Sequence, residues 1–335
     1  MAAAMRIWYC LNRTLFSNSS GADSMSMHNY ECIGLLEPAF IGRCMDALRN
    51  DYYLSPDAIC PPKHIDPLSF RGDLIEAYGI AMTALLKNGS WGAKLIRINE
   101  YTNKTSSQTI LFDSHGDIVV NVDSTELTRL RCALMAALSL DVYYKNREKS
   151  GLSVGFIGAG KINALTMVVF QYIFSISTFF VKPNPSNPTG GVPEFSDTRR
   201  IHLPSDLGTC DIIVECATSN LRENVIELSD VDPGVLQNNR LYIAQNSGWI
   251  FGETFRETLP SFTDHIIQIN QCLLRKFDWP WDTKEVIIPY DIKDARFSYD
   301  YCPCGAIVYL TGIAIADLII VEQARIEGRI RRSKF

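Results

Sequence analysis

The stretch "GFIGAGKINALTMVVF", residues 155–170, decides the fold. A short apolar strand runs directly into two glycines, Gly158 and Gly160, and a helical segment begins at the next residue. In such a setting the backbone N–H groups of the turn and the dipole of the helix bind a pyrophosphate. A pair of glycines alone is a weak signal, but the strand before it and the helix after it predict a dinucleotide-binding turn.

Two positions depart from the usual dinucleotide fingerprint. Asn163 replaces the third glycine, which normally allows the helix to pack closely on the strand. The second strand ends in "TFFVKPNPSN" and lacks the acidic residue that would bind the adenosine ribose. Lys182 lies about there, and a cation suits a 2′-phosphate, so we expect NAD(P) with NADP slightly favoured over NAD. The alternative is that Lys182 is a solvated loop lysine.

Strands and helices alternate after residue 150. Three apolar segments read as buried strands separated by helices: "ISTFFV", "CDIIVECATSN" and "NNRLYIAQNS". This alternation is typical of a parallel sheet covered on both faces. Ligands bind beyond the carboxyl ends of such strands, so "ATS" at 217–219 is expected near the cofactor, an ordinary turn being the alternative. The predicted cofactor-binding residues are Gly158, Ala159, Gly160, Lys161, Ile162, Lys182, Ala217, Thr218 and Ser219.

The N-terminal half has a different pattern. Residues 1–30 lack a period and are expected to be loosely ordered, whereas residues 79–122 read as antiparallel strands with a hairpin turn at Gly116. "STELTRLRCALMAALSLDVYY" then predicts a helix capped by Ser124 or Thr125. The apolar segment from residue 305 onward is expected to form one long final helix that packs between domains or across a subunit interface.

Composition limits the class of protein. The 335 residues suffice for two domains, and the net charge of −5 argues against binding nucleic acid or an anionic membrane through bulk charge. The ten cysteines are scattered, as expected for thiols in a reducing cytosol, and no stretch is long and apolar enough to span a membrane. We therefore expect a cytoplasmic protein. Neither a zinc motif nor a classical catalytic triad is recognisable, so no metal is predicted.

The order of motifs resembles the ornithine cyclodeaminase and mu-crystallin family. A β-rich first half is followed by "ELTRLRCALMAAL", "GFIGAGK", "CDIIVECATSN" and "GIAIADLIIVEQA", and the match covers roughly residues 60–325. The most specific part is "LTRLR" with "AAL" ahead of the glycines. The usual "RTAA" of the family is "RCAL" here, so the chain is identified as a divergent member.

The resemblance implies an α/β fold with two parts. A Rossmann-type doubly wound parallel sheet over residues 131–304 binds the dinucleotide, and an α+β dimerisation and substrate domain is built from residues 31–130 and 305–335. It also implies a homodimer, with an amino acid or imine held beside the nicotinamide in the cleft between the domains. In such proteins three cations hold the substrate carboxylate, and the matching residues are Arg71, Lys94 and Arg131.

Lys94 has independent support from its surroundings. It lies in the apolar strand segment "AKLI", where an unpaired ammonium would be costly to bury, so it needs an anion. We also expect it to assist proton movement, which makes it the predicted catalytic residue. The alternative is a lysine that points outward from a half-exposed strand. Lys63 in "PPKH" is the alternative to Arg71 as the third cation.

The acid that ornithine cyclodeaminases use in ring closure is missing. Gln245, Asn246 and Ser247 occupy the segment where the family has an Asp. Without that acid the cyclising half of the mechanism loses its general base, while hydride transfer at Cα remains possible. The hypothesis is an NAD(P)-dependent oxidoreductase of the amino acid dehydrogenase or ketimine reductase type. "FSYDYCPCGAIVYLTGIAIADL" is most similar to the diaminopropionate-forming branch.

Two alternatives remain open from the sequence. One is a true cyclodeaminase that releases ammonia, in which Asp230 or Asp232 replaces the missing acid. The other is a non-catalytic protein of the crystallin type that binds NADP and a small ligand.

Overall fold

A computed structural model describes most of the chain. The described residues are 30–32, 34–55, 60–61, 63–71, 74–99, 102, 104–183, 193, 195, 197–216, 226–231, 239–245, 251–264 and 290–332. Several sequence predictions lie outside them, namely those on residues 1–29, Ala217, Thr218, Ser219, Asp232, Asn246 and Ser247.

The first half of the chain forms an antiparallel sheet flanked by helices. Its elements are β1 (Tyr30–Cys32), α1 (Pro38–Ala47, continued as a π-helix over Leu48–Tyr53), β2 (His64–Arg71), β3 (Leu74–Leu85), β4 (Trp91–Asn99), β5 (Lys104–Phe112), β6 (Ile118–Asp123) and α2 (Thr125–Tyr143). Strands β2 to β6 pair in sequence order, each antiparallel to the next. Gly116 has φ +93° in the turn between β5 and β6, which confirms the predicted hairpin.

The second half forms an eight-stranded parallel sheet. Its elements are β7 (Ser153–Ile157), α3 (Lys161–Phe174), β8 (Thr178–Lys182), β9 (Thr198–Arg200), a 3-10 helix (Pro204–Thr209), β10 (Ile212–Glu215), α4 (Leu228–Val231), β11 (Leu241–Ala244), α5 (Glu253–Thr258), β12 (Ser261–Thr263), β13 (Tyr290–Asp291), β14 (Ala306–Tyr309), α6 (Ala314–Ile326) and β15 (Ile330–Arg332). The strand order is β13-β12-β14-β11-β10-β7-β8-β9.

Alternate residues of these strands enter two different hydrophobic cores. Phe156 and Val214 face the core shared with α2 and α3, whereas Ile157 and Ile213 face the core on the other side of the sheet. A parallel sheet buried on both faces is the doubly wound arrangement predicted from the sequence. The fold class is therefore confirmed.

The final segment differs from the sequence prediction. Residues 306–309 form the strand β14 of the parallel sheet, paired with β11 and β12, and α6 begins only at Ala314. Gly305 at φ +101° and Gly312 at φ +77° bracket the strand in conformations that a helix cannot contain. The expectation of one continuous helix from residue 305, within the dimerisation domain, is therefore wrong for residues 306–309.

Two connections join the sheets. Helix α2 leads from β6 into β7, and α6 follows β14 and packs against β3, β4 and β5. Ser124 precedes α2 as predicted, but its side chain does not cap the helix. The Thr125 N–H donates instead to the Asp123 carboxylate at 2.9 Å. Strand β15 returns to pair antiparallel with β1. None of the helices in the described part of the chain is long and apolar enough to cross a membrane.

Candidate functional site

The candidate site lies along one edge of the parallel sheet. Because the strands are parallel, their carboxyl ends meet at the same edge, where α/β proteins bind ligands. Gly158 follows β7 and Gln245 follows β11. Asp264 follows β12, and Thr311 comes two residues after β14. Two groups of residues at this edge have distinct chemistry, the glycine turn and a cluster of buried charges.

The glycine turn has the geometry of an anion-binding loop. Gly158 has φ +96°, which favours glycine, and its N–H donates to the Lys182 carbonyl at 2.9 Å. Gly160 precedes α3 as its N-cap residue, with no side chain capping the helix. A Cβ on Gly160 would meet no atom within 4 Å. The first turn of α3 thus has no side-chain cap, and the space beside Gly160 is open, as an anion-binding helix start requires.

Asn163 explains how the turn does without its third glycine. The side chain is buried, and its Nδ2 donates to the carbonyls of Ile157 at 3.0 Å and Gly158 at 2.8 Å. The amide thus ties the first turn of α3 to the end of β7. A side-chain hydrogen bond replaces the close backbone packing that a glycine would allow.

The remaining predicted cofactor residues in the described chain surround this turn. Lys182 ends β8 directly opposite Ile157, with its side chain half-buried. Ala159 is buried, Ile162 half-buried and Lys161 exposed. The structure brings these residues together, and their contacts with a cofactor remain predictions.

The second group is a cluster of buried charges from three distant segments. Lys94 on β4 is completely buried, and its Nζ lies 2.5 Å from Oδ1 of Asp317 on α6. Arg131 on α2 donates from Nε to the same Oδ1 at 3.4 Å. The second carboxylate oxygen, Oδ2, is buried and has no hydrogen-bond partner among the described residues. Asp317 thus joins two cations through a single oxygen.

The close approach of α6 to β4 places Lys94 in this cluster. Gly92 lies two residues before Lys94 and so faces the same side of the strand. A Cβ on Gly92 would lie 2.9 Å from a methyl carbon of Leu318, which shows how near the helix passes. The anion that Lys94 was predicted to need is Asp317, and the lysine does not point outward.

Burial alters the acidity of Lys94. The loss of solvent lowers the pKa of its ammonium to about 8, assisted by the neighbouring positive charge of Arg131 and opposed by Asp317. Arg131 is 6% exposed, whereas Lys94 is 0% exposed, so Arg131 is the more accessible of the two cations.

A short segment after β14 packs against the Arg131 guanidinium. Gly312 has φ +77°, and a Cβ there would lie 2.8 Å from Nη2 of Arg131. Buried Asp264 holds this segment, since its Oδ1 accepts from the Thr311 N–H at 2.8 Å and from the Thr311 hydroxyl at 2.7 Å. Its Oδ2 accepts from the Gly312 N–H at 3.2 Å. The guanidinium is thereby confined between Asp317 and Gly312.

The third predicted cation can be compared with its alternative. Lys63 donates from Nζ to the Thr311 carbonyl at 2.8 Å, so it contacts the same segment after β14 that packs against Arg131. Arg71 is the last residue of β2, and the structure describes its backbone alone. Lys94, Arg131 and Lys63 are therefore brought together, while the side chain of Arg71 lies outside the described part.

The position of the missing family acid is occupied by an amide. Gln245 donates from Nε2 to the Cys132 carbonyl at 3.4 Å and to the Thr166 hydroxyl at 3.3 Å, joining α2 to α3 beside the site. Asp230 does not replace the acid, because it is exposed on α4. Helix α4 lies at the opposite edge of the sheet. Its Val231 carbonyl would be 2.8 Å from a Cβ on Gly208, which precedes β10 and so lies at the amino ends of the strands.

Two buried acids of the site were missed by the sequence analysis. Asp317 was detectable as a single acid at the start of an apolar helix, "AIADLII", just as Lys94 is a single cation in an apolar strand. Two such residues are candidates for pairing, because a buried charge requires a partner. Asp264 carries no comparable signal, since it follows a three-residue strand that the sequence did not predict.

Neither a family model nor a curated protein matches the sequence. Solved structures share its fold over most of the chain. The Delta(1)-pyrroline-2-carboxylate reductase of Thermococcus litoralis, in complex with NADH and L-proline, is 14% identical with a TM-score of 0.58, covering 87% of this chain and 92% of its own. An archaeal alanine dehydrogenase dimer with bound NAD is 16% identical with a TM-score of 0.64, covering 88% and 91%.

A third similar structure is a lysine cyclodeaminase that recognises L-lysine, L-ornithine and L-2,4-diamino butyric acid. It is 12% identical with a TM-score of 0.64, covering 88% of this chain and 87% of its own. At these identities the likeness shows the fold. It confirms the fold that was expected from the resemblance to the ornithine cyclodeaminase and mu-crystallin family.

Proposed function

We propose that the protein is an NAD(P)-dependent oxidoreductase that acts on the C–N bond of an amino acid or its imine. One observation carries the proposal: the glycine turn and the buried cations lie on the same carboxyl edge of the parallel sheet. A nicotinamide enzyme acting at Cα needs both an anion site for the cofactor and a cation site for the substrate carboxylate. The reductases and dehydrogenases of the same fold support this choice.

The cofactor fits the glycine turn. The turn at Gly158 and the uncapped start of α3 at Gly160 would hold a pyrophosphate through backbone N–H groups. Ala159, Lys161 and Ile162 complete that turn. When bound, the nicotinamide supplies or takes up a hydride at Cα of the substrate. Lys182 at the end of β8 favours NADP over NAD, because it could pair with a 2′-phosphate.

The substrate carboxylate would bind to Arg131. A guanidinium presents two parallel N–H donors to a carboxylate, and this fixes the direction of the bound amino acid as well as its affinity. Arg71 or Lys63 would provide an additional positive charge at the same site. Lys94 would contribute charge and, with its pKa lowered to about 8, could exchange a proton at Nζ near neutral pH.

The proposal extends to assembly and location. The antiparallel sheet and α6 would form the dimer domain of a homodimer, and residues 131–304 together with β14 the dinucleotide-binding domain. A small amino acid or imine would be the binding partner, in the cytoplasm, without nucleic acid or membrane.

A two-stage measurement tests the proposal. Purified protein is titrated with NADH and NADPH by fluorescence, and a panel of amino acids and cyclic imines is then added while the nicotinamide absorbance is followed. We expect binding of a reduced cofactor and a fall in absorbance with at least one imine, or a rise with oxidised cofactor and an amino acid. Binding with ammonia release and no net absorbance change would favour the cyclodeaminase. Binding without any turnover would favour the non-catalytic protein.

A further inference from the structure

We propose that Asp317 is a positioning residue of the substrate site. It holds the Arg131 guanidinium by Nε, so that the two terminal nitrogens face a bound carboxylate, and it also fixes Lys94. The inference rests on the proposed function, because it concerns the same substrate site.

The hydrogen bonds of Arg131 show which part of the guanidinium is already engaged. Nε donates to Asp317 Oδ1, whereas no side chain among the described residues accepts from Nη1 or Nη2. A Cβ on Gly312 would lie 2.8 Å from Nη2 and 3.0 Å from Nη1, so any side chain larger than glycine would occupy the space beside these two nitrogens. A guanidinium held on its Nε side presents its terminal nitrogens as a fork, the geometry that binds a carboxylate with two parallel hydrogen bonds.

The balance of buried charge favours one monoanionic ligand. Lys94 and Arg131 face the single carboxylate of Asp317, which leaves one positive charge. Lys63 and Asp264 both contact Thr311 in the segment after β14, and including them adds one charge of each sign. The excess therefore stays at one, and one carboxylate would neutralise it.

The neighbouring groups do not replace Asp317. Asp264 is committed to the Thr311 and Gly312 N–H groups, so it is not placed to hold the Nε of Arg131. The Cys60 thiol near the start of α6 stays neutral near pH 7, because burial raises its pKa to about 11. Asp317 itself lies in the first turn of α6, where the helix dipole favours a negative charge.

The competing explanation is that Asp317 only pairs with Lys94 to attach α6 to β4. Both roles predict a loss of stability when Asp317 is replaced, so stability alone cannot separate them. They differ in whether Asp317 affects substrate binding through Arg131 independently of Lys94.

The experiment compares Asp317→Asn with Asp317→Glu and with Glu322→Gln, measuring KM, kcat and the NADH dissociation constant. Glu322 is the matched control, because it is an acid on the same helix, paired with Arg325 at 2.6 Å and away from Arg131. For Asp317→Asn we expect the KM of the amino acid or imine to rise by at least about tenfold, because the variant loses one charge-assisted hydrogen bond to Arg131. We expect kcat to change less, NADH binding to stay unchanged, partial rescue by Glu, and no effect of Glu322→Gln.

A second pair of variants covers the case in which Asp317→Asn does not fold. Lys94→Met is compared with Lys94→Met combined with Asp317→Asn, which contains no unpaired buried lysine. If Asp317 positions Arg131, the double variant has a higher KM than Lys94→Met. An equal KM would overturn the proposal and leave Asp317 as a partner of Lys94 alone. If the wild-type protein binds NADH but turns over neither amino acids nor imines, the proposed function fails first, and this inference with it.

Discussion

The two halves of the candidate site would bind anions by different means. The glycine turn would use backbone N–H groups within a few residues of one another, between Gly158 and Asn163. The charge cluster would use side chains from β4, α2 and α6, with Lys94 and Asp317 separated by 223 positions in the sequence. A backbone site keeps its donors when side chains change, provided that the turn keeps its shape and the space beside it stays open. A site of buried charges depends on each of its members, because removing one leaves another unpaired.

The largest effect should come from removing a member of the charge cluster. Asp317→Ala would leave Lys94 completely buried without its anion, and we expect a loss of about 3–5 kcal/mol in the free energy of unfolding. The control is Arg129→Ala on α2, whose exposed pair with Glu126 should be worth less than about 1 kcal/mol. Urea denaturation measures both. Equal losses in the two variants would mean that the cluster is no more critical than the surface.

A substitution that keeps the charge of Arg131 sharpens the comparison. Arg131→Lys retains the positive charge but loses the planar fork, so we expect kcat/KM to fall by about 30-fold while NADH binding is unchanged. Arg97→Lys, at an exposed position of β4, should leave both quantities unchanged. A kcat/KM within about twofold of wild type would show that Arg131 does not bind the carboxylate as a fork.

The glycine turn can be altered without affecting its fold. Gly160 has φ −78° and open space at its Cβ position, so Gly160→Ala should leave the melting temperature unchanged. If a pyrophosphate approaches the backbone there, the added methyl group should weaken NADH binding by about tenfold. In contrast, Gly158→Ala should also cost about 1 kcal/mol of stability, because its φ is positive. Unchanged NADH affinity in Gly160→Ala would argue against a phosphate cradle.

The smallest expected effect is a dependence of KM on pH. Lys94 loses its charge as the pH rises through its lowered pKa of about 8, and a neutral lysine no longer attracts a carboxylate. The KM of the substrate should therefore be about twofold higher at pH 8 than at pH 7, and should rise further above pH 8. Lys94→Met should have a flat profile over this range. A rise of the same size in that variant would assign the titration to another group.

Local patterns predicted one half of the site and part of the other. The strand, turn and helix around Gly158 follow from apolar runs and glycines within about 20 residues, and the structure agrees closely, with α3 at Lys161–Phe174. Lys94 and Arg131 were identified through the family resemblance, and burial in an apolar strand supported Lys94. The structure brings both into one cluster.

The rest depended on contacts that no local pattern contains. Asp317 pairs with residues far away in the sequence, and its segment was interpreted as the interior of one continuous helix. The run "AIVY" of β14 is apolar throughout, so its period cannot distinguish a strand from a buried helix. The glycines at 305 and 312 were the available signal, since both adopt positive φ.

The two connections between the sheets would form the hinge of any movement of one sheet against the other. The chain passes from the antiparallel to the parallel sheet at α2 and returns at α6, and the Arg131–Asp317 hydrogen bond links these two crossings. A rotation of one domain against the other would have this bond near its hinge axis, where displacements are smallest. The glycine turn begins α3, which packs on α2, so the turn would move together with the parallel sheet. Cleft opening could then release a dinucleotide while the geometry around Arg131 persists.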